Sequence, residues 1–88
     1  MRVTKTTLIE EAIDASPKST KARDLKAWLD VVRSSRWAGP ADVRKDFPRA
    51  TNANNPIWLF PLSPSGVTVE ALVGFKGEGQ LVIKQVHQ

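Results

Sequence analysis

The stretch LKAWLDVVRSSRWAGPADVRKDFPRA (Leu25–Ala50) holds two of the three tryptophans and decides how the chain divides. Leu25, Trp28, Leu29 and Val32 recur at steps of three and four residues, the spacing of an amphipathic helix. Ala22 extends the stripe back to a start near Ser19 or Thr20, while Lys21, Arg23, Lys26, Asp30 and Arg33 lie off it. Gly39-Pro40 breaks the pattern, and a proline suits the first turn of a new helix. Val43 and Phe47 stand four apart and pack inward together. Pro48 ends this second helix. The stretch reads as helix, stop, short helix, stop, with Trp28 in the core.

Outward from it, the period changes. Upstream, Met1–Lys5 is an edge strand or a frayed end. Thr7-Leu8-Ile9-Glu10 has the form of a capping box, and Leu8, Ile9, Ala12 and Ile13 share one face of the helix it opens. Ser16-Pro17 closes that helix. Downstream, Thr51–Pro56 is rich in asparagine and reads as a loop. Ile57-Trp58-Leu59-Phe60 reads as a strand, with Pro61 restricting it to an edge or a bulge. From Val67 to Phe75, apolar residues alternate with a period of two. Gly77-Glu78-Gly79 signals a hairpin, and Leu81–Val86 is the returning strand. Helices first and strands after predict one α+β domain over residues 1–88, with the N-terminal helices packed on one face of a small antiparallel sheet.

Eighty-eight residues leave room for one small domain. Without cysteine, disulfides and thiolate metal sites are excluded, which fits a reducing cytosol. One histidine makes no histidine-cluster zinc site. No apolar run approaches the roughly 20 residues that span a bilayer, and the N-terminus lacks a signal-like apolar core. These features predict a cytoplasmic protein. The net charge of +4 is uneven. Residues 15–50 carry nine basic and four acidic side chains, whereas residues 51–88 carry two of each. Such a field is either a solvated, solubilising helix face or a surface that concentrates phosphate-bearing partners.

Leu25-Lys26-Ala27-Trp28, Trp37, Pro40-Ala41-Asp42-Val43, and Phe47-Pro48 with Ala50 together resemble the HigB branch of the RelE-like toxins in order and spacing. Phe60 looks like the phenylalanine of the family's next strand, and Ala71–Ile83 like its closing hairpin. The resemblance is strong over residues 25–50 and weak beyond. It implies a toxin of a type II toxin–antitoxin system, a metal-independent endoribonuclease that cuts mRNA, often on the ribosome, and so inhibits translation. No cofactor is implied, and the implied partner is a HigA-like helix-turn-helix antitoxin. In such relatives the 2′-hydroxyl of one nucleotide attacks the adjacent phosphate.

That chemistry asks for a base, an acid and a cation beside the phosphorane. Family members carry an arginine early in the long strand and end in a threonine–histidine–x–x–tyrosine tail. By this resemblance the arginine slot falls on Glu70, His87 is matched to the histidine of the tail, and no tyrosine occurs. The candidate catalytic set is therefore Glu70, His87 and Lys84. Some hairpin registers place Glu70 and His87 on one face, because paired numbers with an odd sum do so. Candidate RNA-binding residues are Arg33, Arg36, Arg44, Lys45, Arg49 and Lys76. For the arginines, pairing with Asp30, Asp42 and Asp46 is the alternative role. A second function stands beside the first: a toxin scaffold without the chemistry, binding an antitoxin-like protein or RNA.

Overall fold

The computed structural model describes residues 1–88, with the order β1 (Arg2–Thr4), α1 (Thr7–Ala15), α2 (Thr20–Ser34), α3 (Pro40–Asp46), β2 (Thr51–Asn54), β3 (Ile57–Pro61), β4 (Thr68–Gly74) and β5 (Gln80–His87). The α+β class expected from the sequence is observed. The sheet has five strands in the order β1-β5-β4-β3-β2. It is mixed rather than antiparallel, because β1 runs parallel to β5, with Val3 opposite Leu81. A parallel neighbour needs a long crossover, and here the three helices and three strands between β1 and β5 supply it.

Helix α2 starts as its sequence dictates, with the Ser19 hydroxyl accepting the Ala22 N–H at 3.1 Å. Its stripe of Ala22, Leu25, Trp28, Leu29 and Val32 is buried. The capping box at α1 is not formed as expected. Thr6 is the cap, and its hydroxyl donates to Glu10 Oε1 at 2.9 Å. Leu8 is turned outward, where it is 41% exposed, while Ile9 and Ala12 are buried.

Two further expectations fail around the loop after α3. Thr51–Asn54 is strand β2, not loop, although all four residues are exposed. Its sequence has no apolar alternation because neither face is covered, so pairing with β3 through the backbone sets the conformation. Strand β3 is then interior, not an edge. Pro61 is tolerated because β2 pairs only as far as Leu59, so no neighbour asks for the missing N–H.

The core lies between the helices and one sheet face. Trp28, Trp37, Phe47 and Phe60 form an aromatic cluster in which Phe60 lies 5.4 Å from Trp28 and 5.5 Å from Phe47, centroid to centroid. Val69, Ala71 and Val73 of β4, with Leu81 and Ile83 of β5, complete the same cluster. The alternate residues Ile57, Leu59, Glu70, Leu72 and Val82 point to the other face, where they are only half-buried. All three helices pack on the first face, so the second is bare. No helix is long and apolar enough to cross a membrane.

Candidate functional site on the bare sheet face

The chemistry-bearing residues of the bare face are brought together by an irregularity. Glu70 pairs with Gln85, but the next residue, Ala71, pairs with Ile83, leaving Lys84 as an extra residue in β5. This is a β-bulge. Without it, a strand with Ile83 facing the core would turn Gln85 and His87 inward and Val86 outward. With it, Val86 packs against the core and His87 reaches the bare face. Thr68 opposes His87, so His87 and Glu70 are diagonal neighbours, within reach for long side chains.

The two side chains meet. His87 Nε2 lies 2.8 Å from Glu70 Oε1, with the imidazole half exposed and the carboxylate one-third exposed. A carboxylate accepts only, so Nε2 carries the hydrogen. This fixes the ring's orientation and leaves Nδ1 as the nitrogen free to exchange a proton with a bound molecule. Glu70 then orients the imidazole and offsets the charge of its protonated form, as a carboxylate does behind a general-base histidine. No other basic side chain in the protein lies within salt-bridge distance of a carboxylate. Lys84, the third candidate, does not join the pair. The bulge directs Lys84 beside α1, where it shares a shallow groove with Leu8.

The basic candidates are dispersed. None of Arg33, Arg36, Arg44, Lys45 and Arg49 pairs with a carboxylate. Two of the three aspartates expected to neutralise them are otherwise engaged: Asp46 accepts the Trp37 indole N–H at 2.8 Å, and Asp42 accepts the Ala38 N–H at 2.8 Å. Arg44 lies over Trp58, 5.2 Å from the ring centroid, a cation–π contact. Trp58 is 1% exposed, so it is core and offers no stacking surface. Arg49 donates to Ser63 Oγ at 2.9 Å. Lys45 is exposed on α3, and Lys76 is exposed at the β4–β5 turn. Arg33 and Arg36 flank a groove at the end of α2, together with Arg2, which the sequence reading had not singled out. No local signal marks Arg2, since it joins the groove through the parallel pairing of β1.

No protein-family model matches the sequence, and no curated protein matches it at a significant level.

Proposed function

We propose that this protein is a HigB-type, RelE-like toxin: a cytoplasmic, metal-independent endoribonuclease that cuts mRNA on the ribosome and is silenced by a HigA-like helix-turn-helix antitoxin. The support is the resemblance across Leu25–Ala50 together with one observation, the bare sheet face that carries a hydrogen-bonded Glu70–His87 pair. An extended RNA strand can lie on such a face, and the pair gives it one group able to move protons.

In the proposed reaction the 2′-oxygen attacks phosphorus and the P–O5′ bond breaks. His87 Nδ1 takes the 2′-hydroxyl proton, and Glu70 stabilises the imidazolium formed. A proton from water completes the leaving 5′-hydroxyl. General-base catalysis of this kind contributes roughly 10²–10⁴-fold. Induced expression should arrest growth, and the purified protein should cleave mRNA on ribosomes. His87→Ala should reduce cleavage by about 100-fold or more, with Glu70→Gln reducing it less. Undiminished cleavage by His87→Ala, or no cleavage and no arrest with the unaltered chain, would sink the proposal.

One observation favours a second reading. Glu70 stands where the family's arginine would hold the phosphate, and its side-chain partner is a histidine rather than an arginine or lysine. A carboxylate there repels phosphate. The second reading is a toxin scaffold retained as a binding module for an antitoxin-like protein or RNA. It predicts tight association with a purified helix-turn-helix antitoxin and no growth arrest.

A further inference from the structure

Arg2, Arg33 and Arg36 come from three separate segments and line one open groove of about 990 Å³. Arg33 sits in the last turn of α2, Arg36 in the link to α3, and Arg2 in β1. The Met1 amino group donates to Ser35 O at 2.7 Å and to Arg33 O at 3.3 Å, which fastens β1 across the end of α2. Those bonds also engage carbonyls at the helix C-terminus, whose partial negative charge would otherwise repel an anion. None of the three guanidiniums makes an ion pair within the protein. The floor includes Trp37 and Phe75, and Glu78 is the one acid at the rim.

We propose that this groove binds the phosphodiester backbone of single-stranded RNA, with Arg2, Arg33 and Arg36 each contacting phosphate. The inference rests on the RNA-directed reading above and names where the strand is held outside the Glu70–His87 pair. Arginine's planar fork matches phosphate oxygens in a bidentate way. A protein partner is the weaker occupant, because protein interfaces centre on apolar anchors. Here Trp37 is 4% exposed and the lining is mostly polar and positive, the character of nucleic-acid interfaces. The groove lies at the β4–β5 turn. The groove supplies positioning, not proton transfer.

The test is fluorescence anisotropy with a labelled single-stranded RNA 12-mer, titrated at several salt concentrations. Each phosphate contact on a single strand contributes about 0.7 to the slope of log affinity against log salt. Replacing Arg2, Arg33 and Arg36 together by alanine should therefore flatten that slope by roughly 2 and weaken binding at least tenfold at 0.1 M salt. Arg23→Ala with Lys26→Ala, two exposed cations on α2 outside the groove, should leave the slope near that of the unaltered protein. If the triple variant loses its circular dichroism, Arg36→Ala alone should still flatten the slope by about 0.7. An unchanged slope in the arginine variants overturns the groove, as does an equal loss in the α2 pair. Polyglutamate competing as well as RNA also overturns it. Cleavage by the same variants is measured separately with excess RNA. A groove failure leaves cleavage by the unaltered chain intact, whereas failure of the ribonuclease reading removes cleavage without touching the binding slopes.

Discussion

The indole N–H groups of Trp28 and Trp37 are treated differently by the fold. Trp37 donates to Asp46, whereas the buried Nε1 of Trp28 has no partner. Asp46→Ala strands the Trp37 donor in the core, at a cost of about 1–3 kcal/mol. Trp28→Phe removes an unpaired donor along with part of the ring, and the two effects oppose each other. Urea unfolding should therefore show a clear loss of stability for Asp46→Ala and a smaller one for Trp28→Phe. The opposite order would mean that Trp28 has a partner in solution. Phe60 belongs to the same cluster and is fully buried, so Phe60→Ala should cost about 3–5 kcal/mol, enough to unfold a domain this small. At this scale much was legible in the sequence. Trp28 and Val43 are core residues as periodicity required, because apolar spacing reports burial directly. Leu8 was not legible, because its spacing fits the apolar stripe while the packing of α1 buries Ile9 and Ala12 instead.

Strand β5 shows what element-level reading captured and missed. Its place as the hairpin partner of β4 followed from Gly77-Glu78-Gly79, and Glu70 and His87 do share a face. The reason lay in the pattern itself: Leu81, Ile83 and Val86 break a period of two, and only a bulge lets all three face the core. Strand β2 had no such signal, since its four residues are exposed and its pairing is made by backbone groups. The parallel placement of β1 is likewise non-local. The bulge makes an unusual prediction. Deleting Lys84 should give a regular strand with Ile83, Gln85, Val86 and His87 on their present faces. Deleting Val82 should instead put the following residues out of phase with the core. Thermal unfolding and the cross-strand nuclear Overhauser contact between Glu70 and His87 separate the two. The Lys84 deletion should keep the contact with a small change in midpoint, and the Val82 deletion should lose cooperative folding. Equal damage from both would refute the bulge as the device that sets the face of His87.

At the scale of the whole molecule, one core joins the helices to the sheet, and all three tryptophans belong to it. The positive surplus sits on the helical side, in residues 15–50, without a single arginine–carboxylate or lysine–carboxylate pair to neutralise it. These two facts bear on stability together. A single core implies that tryptophan fluorescence and far-ultraviolet circular dichroism report one transition, because neither layer keeps a buried face without the other. An unpaired positive field implies that the folded state repels itself at low salt. No ion pairs on that surface are there to be weakened by screening, so added salt relieves repulsion without removing attraction. Raising sodium chloride from about 20 to 200 mM shortens the screening length to well below the width of the domain. The unfolding midpoint should then rise by a few degrees, since about 1 kcal/mol shifts a domain of this size by roughly 4–8 °C. The same rise should be largely absent when Arg33, Arg36 and Arg44 are replaced together by glutamine, which keeps much of the side-chain bulk and removes the charge. A midpoint that falls with salt in the unaltered protein would place attractive pairs on the helical surface and overturn this account of its field.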